Sequence, residues 1–182
     1  MGLNIAIVVT DRCHASSVFS VVDMLLAANY CSGKLLNSRF DIFDVSLIGF
    51  DDHYKASNGY TIGPLVHPDS IGQPDLVIVP GIVESVFQSD RMEERLARYQ
   101  LWFKQIRLWH EMGAVICGAC TGNIFLAGSG IAGGRPLTCH WISEPVLSKT
   151  FPQERFDAKE MLYDHGDIIS LGGAYAIQHI VI

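Results

Sequence analysis

Residues 114–127 constrain this chain more than any other stretch. Ala114 to Cys117 is an apolar run that reads as a buried strand, and Ile124 to Ala127 reads as helix. Between them stand Gly118-Ala119-Cys120-Thr121-Gly122. A strand that turns at once into a helix through small residues lifts the residue at its apex, here Cys120, to the end of a sheet, as in a nucleophile elbow. Gly118 and Gly122 stand two residues before and after Cys120, where side chains would clash. The free N–H groups and positive dipole end of the helix favour a thiolate and predict a lowered Cys120 pKa. They also offer a seat for an anion or a carbonyl oxygen. The plainer reading of Cys120 is an inert buried thiol, as free cysteines often are; the flanking glycines favour an accessible one. Cys117, inside the strand, is read as inert. The two also make a C-x-x-C pair, which leaves redox chemistry open. Zinc would need two more ligands at suitable spacing, and no second Cys or His pair supplies them.

The rest of the chain sets this turn in an α/β frame. Asn4 to Val9 is a β-branched apolar run, read as a buried strand. Ser16 and Ser17 are candidate N-caps for a helix through Val18, Val21, Val22, Leu25 and Leu26. Phe40 to Phe50 reads as a second strand, Asn58-Gly59 as a turn, and Leu76 to Val79 as a central strand closed by Pro80-Gly81. A long helix is expected from about Arg91 to Met112. Its stripe of Tyr99, Phe103, Ile106 and Trp109, with Leu96 and Trp102 nearby, is a core face. Pro136 to His140 reads as a strand end and Trp141 to Ser148 as a helix. Met161 to Tyr163 and Ile168 to Leu171 read as strands around a turn, and a last helix follows Gly172-Gly173. Alternating strands and helices predict a mostly parallel sheet covered on both faces, with the ligand site outside the carboxyl ends of its strands. Three loops belong there: Thr10 to Ser17, Pro80 to Val83, and Gly118 to Gly122.

Composition excludes several classes. With 182 residues, 49% hydrophobic and 18% charged, the chain is one folded domain over residues 1–182 rather than a disordered segment. A net charge of −6 is the wrong sign for gripping phosphates. The cluster of Arg91, Arg95 and Arg98 is interleaved with Glu93 and Glu94 and reads as a solvated helix face. No apolar run is long enough to span a membrane, and the apolar start reads as a strand rather than a signal peptide. Five cysteines, an odd number, in a chain of this size point to a reducing cytoplasm.

His140 closes the strand after the elbow helix and is the natural partner for Cys120, either in Cys–His nucleophilic catalysis or as a polar wall of a ligand pocket. His14 lies in the first loop at the same edge. His53, His67, His110, His165 and His179 lack companions in the sequence and read as surface residues.

Several stretches together resemble a known superfamily. They are Gly118-Ala-Cys-Thr-Gly122 with Leu126-Ala127 and Gly130-Ile131, Thr138-Cys-His140-Trp141, and Asp75-Leu-Val-Ile-Val-Pro-Gly81. Ala15-Ser-Ser-Val18 with Asp23 and Ala28-Asn29, and Ile168-Ile-Ser-Leu-Gly-Gly173, complete the set. The chain resembles the ThiJ/PfpI superfamily, of class I glutamine-amidotransferase-like fold, and within it the N-terminal sensor domain of AraC-type transcription regulators. The resemblance covers essentially the whole chain. It implies a flavodoxin-like three-layer sandwich that dimerises and binds a small metabolite, with a C-terminal helix-turn-helix DNA-binding domain expected beyond residue 182. DNA would be met only through that domain. Enzymes of the superfamily carry an acid near the start of the first helix that shares a proton with the cysteine. Here that stretch holds Ser16 and Ser17, which cannot serve as acid or base at neutral pH. The superfamily's Pro-Gly-Gly is Pro80-Gly81-Ile82 here.

The implied function is ligand sensing. The expected pocket residues are His14, Ser16, Ser17, Gly81, Ile82, Cys120, Thr121 and His140, with the N–H groups of Ile82 and Thr121 receiving a carboxylate or carbonyl. An amino acid or a quaternary amine is the expected effector, with Trp141 either packed in the core or set against a cation. No metal or cofactor is called for. The alternative is a cysteine-dependent hydrolase or hydratase using Cys120 and His140, and a redox sensor at Cys120 is a third reading.

Overall fold

The buried apolar runs become the middle of a sheet. The computed structural model describes residues 2–35, 41–83 and 92–180. Strand β1 (Leu3–Val8) is buried from Ile5 to Val8 and pairs in parallel with a neighbour on each side, which is why it is β-branched without alternation. Helix α1 (Ala15–Leu35) buries Val18, Val21, Leu25, Asn29 and Ser32, one face at helical spacing. It starts two to three residues earlier than expected. The His14 carbonyl accepts the N–H groups of Ser17 and Val18, so Ser16 and Ser17 lie inside the first turn rather than capping it.

Strand β2 (Phe43–Ile48) is followed by a short hairpin, β3 (Tyr54–Lys55) and β4 (Thr61–Ile62), around the Asn58-Gly59 turn. Gly59 has φ 89°, a conformation glycine adopts without penalty. Strand β5 (Leu76–Val79) leads on to α2 (Met92–Arg98) and α3 (Gln100–Glu111). The single helix expected here is broken at Tyr99, whose φ −95° and ψ 3° leave the helical region; Arg91 lies outside the described residues. The expected aromatic stripe is nonetheless core: Tyr99, Trp102, Phe103, Ile106 and Trp109 are all buried. Strand β6 (Val115–Ala119) passes through Cys120–Gly122 into α4 (Asn123–Ser129), which stops at left-handed Gly130, φ 72°.

Strand β7 (Pro136–Thr138) leaves the main sheet and pairs in parallel with β8 (Arg155–Asp157). Between them α5 (Glu144–Thr150) begins three residues later than expected, because Pro145 suits only a first turn. Strands β9 (Leu162–Asp164) and β10 (Ile168–Leu171) are antiparallel across the expected turn. The last described segment, Ala176–Ile180, is a 3-10 turn rather than the expected helix and packs on α1.

The six-stranded sheet has the order β2-β1-β5-β6-β10-β9, parallel except for β9. From β1 the chain runs outward to β2 and then back across to β5, so the order reverses between β1 and β5. That reversal opens the crevice where ligands sit in such sheets. At the far edge Asn29 on α1 sets the start of β2. Its Oδ1 accepts from the N–H groups of Ile42 and Phe43 at 3.0 and 2.9 Å, and its Nδ2 donates to the Phe43 carbonyl at 2.8 Å.

Candidate functional site

The loops after β1, β5 and β6 meet at one edge of the sheet. Parallel pairing of Val79 with Gly118 brings the ends of β5 and β6 side by side. Beyond them the chain makes a short antiparallel ribbon. His14 donates its N–H to Gly81 O at 2.8 Å, Val83 donates to Arg12 O at 2.9 Å, and Cys13 faces Ile82.

Cys120 stands on the elbow with φ 54°, one of two non-glycine residues at positive φ among the described residues. Holding a side chain there costs roughly 1–3 kcal/mol. The flanking glycines are required by contact. A β-carbon on Gly122 would run into the carbonyl oxygens of Val79 and Pro80, and one on Gly118 into Asn123 and Leu126. A β-carbon on Gly81 would lie 3.1 Å from the His14 ring and 3.5 Å from the Cys120 β-carbon. His14 and Cys120 therefore face each other across the side chain that Gly81 lacks.

The electrostatics run against the expected thiolate. Burial pushes the Cys120 thiol above its ordinary pKa. Contacts from the Thr121 backbone and side chain and from the Ala174 backbone oppose this more weakly. The expected lowering assumed a helix start open to water, whereas Cys120 is largely buried, with the Ala174 backbone and Gly81 beside it. Burial also lowers the His14 pKa, leaving a neutral imidazole. Cys117 is fully buried and its thiol is raised by burial, in keeping with an inert strand residue. Cys139, which follows β7, is buried and pushed up to about 12, chiefly by burial, with a smaller contribution from Cys120.

Two expected partners are otherwise engaged. Ser17 is buried and its Oγ donates to Ala174 O at 2.9 Å, while Ser16 is exposed. His140 is exposed, and its Nδ1 accepts the Ile142 N–H at 3.3 Å; among the described residues no hydrogen bond joins it to Cys120. The Ile82 N–H, expected to be free for a ligand oxygen, donates instead to Thr121 Oγ1 at 2.8 Å. Trp141 is 70% exposed, so it is not core.

Sequence reasoning passed over Ala174 and Asn123. The backbone of Ala174 touches both Cys120 and Ser17. Asn123 is fully buried, and its Nδ2 donates to the carbonyls of Thr138 and Leu171, tying the elbow helix to β7 and β10. An asparagine three residues after the cysteine was the available signal for the second; a backbone contact leaves none for the first. Three histidines read as lone surface residues have partners. His67 Nδ1 accepts the Asp69 N–H at 3.2 Å. His110 Nε2 lies 2.8 Å from Asp167 Oδ2, and His165 Nε2 lies 2.9 Å from the Pro136 carbonyl. Asp167 also receives Arg135 in a two-pronged pair, whose Nη2–Oδ2 limb is 2.9 Å. Asp167 immediately precedes β10 and its carbonyl accepts the Ile116 N–H, so this cluster sits at the amino ends of the strands, opposite Cys120.

Comparison with known proteins places this geometry. The chain superposes on DJ-1β of Drosophila melanogaster with a TM-score of 0.76 at 17% identity, covering 100% of this chain and 87% of that one. This is the ThiJ/PfpI fold. An AraC family transcriptional regulator from Pseudomonas putida shares the ThiJ/PfpI fold, with a TM-score of 0.74 at 17% identity, covering 98% of this chain and 88% of that one. In sequence the chain is 29% identical over 170 residues to the HTH-type transcriptional regulator GbdR of Pseudomonas aeruginosa. That stretch is 93% of this chain and 42% of GbdR, so this ThiJ/PfpI-fold chain spans less than half of the curated relative it matches. No protein-family model matches it. Among the described residues no helix is long and apolar enough to cross a membrane.

Proposed function

We propose that this chain is the ligand-sensing part of an AraC-type transcription regulator, taking a small metabolite at the Cys120 edge of the sheet. The observation that carries the reading is the likeness to GbdR along nearly the whole chain. The site supports it. Burial raises the Cys120 thiol, and Ser16 and Ser17 stand where enzymes of the superfamily carry the acid that shares a proton with the cysteine, so that acidic partner is replaced by neutral hydroxyls. In this reading His14, Ser16, Gly81, Ile82, Cys120, Thr121 and His140 border the effector, and Ser17 holds the wall behind it. The effector is an amino acid or a quaternary amine, and the exposed ring of Trp141 is the platform for a cation. The regulator acts as a homodimer in the cytoplasm and meets DNA through a C-terminal helix-turn-helix domain.

The test is a thermal melt of this domain against a panel of amino acids and quaternary amines. A ligand at a hundred times its Kd stabilises by about 2.7 kcal/mol, a shift of several degrees. A panel with no shift at saturating concentrations would sink the effector assignment.

A second reading rests on the strained φ of Cys120, the mark of an elbow nucleophile. It makes the protein a hydrolase or hydratase with Cys120 as nucleophile and His140 as proton carrier. Turnover of amide or nitrile substrates that disappears in Cys120→Ala would favour it.

A further inference from the structure

Thr121 follows Cys120 directly and is buried. Its Oγ1 accepts the Ile82 N–H at 2.8 Å and donates its one proton to the Ile82 carbonyl at 2.7 Å. Gly81, the residue before Ile82, lies against the elbow: a β-carbon on it would be 3.5 Å from the Cys120 β-carbon. A backbone N–H beside a sulfur on an elbow is where a carbonyl or carboxylate oxygen would be received. Here a side-chain oxygen of the protein already fills that seat. Threonine suits the task because branching at its β-carbon stiffens χ1 and holds the hydroxyl in place.

We infer that the Thr121 hydroxyl is a built-in substitute for a ligand oxygen, and that a carboxylate or carbonyl entering beside Cys120 takes the Ile82 N–H by turning Thr121 out. The inference rests on the reading of this edge as a ligand site. It gives that site a consequence. Thr121 ties the Gly81–Val83 loop to the elbow, and the same loop is hydrogen-bonded to Arg12 and His14. Turning Thr121 out frees one side of the loop and leaves its bonds to the β1–α1 connection in place.

The experiment compares alkylation of Cys120 by iodoacetate, which carries a carboxylate, and by iodoacetamide, which is neutral and of the same shape. In both, Sγ displaces iodide from the CH2 carbon: the C–S bond forms, the C–I bond breaks, iodide leaves with the electron pair and the thiol proton goes to the buffer. Rates are read by peptide mass spectrometry, and the iodoacetate-to-iodoacetamide ratio at Cys120 is divided by the ratio at exposed Cys31. Thr121→Ala empties the seat and frees the N–H, and the normalised ratio rises about fivefold, the worth of one hydrogen bond. Thr121→Val removes the hydroxyl but fills the seat with a methyl group, and the ratio stays at the wild-type value. Thr121→Ser, free to rotate, gives an intermediate ratio. An unchanged ratio in the alanine variant, or an equal rise in the valine variant, overturns the inference, because a rise in both means loosening and not an opened seat. If the alanine variant does not fold, the serine variant decides, and a wild-type ratio there overturns the inference. No effector or DNA enters the measurement, so it fails separately from the regulator reading.

Discussion

Ser17 Oγ donates to the carbonyl of Ala174 at 2.9 Å, across 157 positions of the chain, and so pins the first helix to the turn after the last strand. The bond is fully enclosed on the Ser17 side. Removing the donor leaves the Ala174 carbonyl without it and costs about 1–2 kcal/mol. Ser17→Ala is expected to lower Tm by roughly 2–6 °C. An unshifted melt would mean that water replaces the serine.

The elbow glycines give a sharper expectation. Gly122→Ala drives a methyl group into the carbonyls of Val79 and Pro80, which are backbone and cannot swing aside. The loss is roughly 1–3 kcal/mol or more, read as a lowered denaturant midpoint. Gly133→Ala, where the β-carbon meets open space but φ is 60°, carries only the backbone penalty and is the milder control.

Cys120 itself sits at φ 54°. Glycine adopts that conformation freely, whereas a β-branched residue resists it. Cys120→Gly is expected to keep stability within about 1 kcal/mol of wild type, and Cys120→Val to lose several times that. Equal denaturation curves for the two would remove strain from the account.

Thiol reactivity follows burial. Cys31 is exposed, Cys120 is partly covered with its pKa raised, and Cys13, Cys117 and Cys139 are buried. With iodoacetamide near neutral pH, Cys31 reacts first, Cys120 later, and the buried three only on unfolding. The rate at Cys120 keeps rising above the ordinary thiol pKa of about 8.5. Alkylation of Cys120 ahead of Cys31 would mean an activated thiolate and would reopen the enzyme reading.

At the opposite edge, the Arg135 guanidinium, with help from His110, holds the Asp167 carboxyl well below the usual carboxylate range. A carboxylate more acidic in the folded than in the unfolded state stabilises the fold above its unfolded pKa of about 3.9, and that stability is lost as pH falls. Wild type is therefore expected to lose Tm more steeply than Asp167→Asn below about pH 4. Parallel profiles would mean that solvent screens the pair.

Much of this architecture was legible because its signals are local. The β-branched runs of β1, β5 and β6 bury on both faces of a parallel sheet, and such strands carry their burial in composition. Gly118, Gly122 and Gly130 mark the elbow and the end of its helix for steric reasons that can be read from sequence alone. What stayed hidden depends on neighbours distant in the chain. The β3–β4 hairpin has two residues per strand, too few for any periodicity, and is held by bonds from the β1–α1 loop such as Arg12 N–H to Lys55 O. The raised Cys120 thiol depends on its burial among segments distant in the chain, which no local pattern carries. The direction of His140 depends on the Ile142 amide, and the occupied Ile82 N–H on the rotamer of Thr121.

Asn29 presents β2 with the acceptor and donor that a neighbouring strand would offer, although it belongs to a helix. A one-residue slip of β2 would turn its side chains to the wrong face of the sheet. The asparagine fixes that choice from the helix side, independently of how many residues join α1 to β2. A relative with a longer or shorter connection can therefore keep the same pairing provided it keeps this amide. Aspartate, identical in shape but unable to donate to the Phe43 carbonyl, would not preserve it.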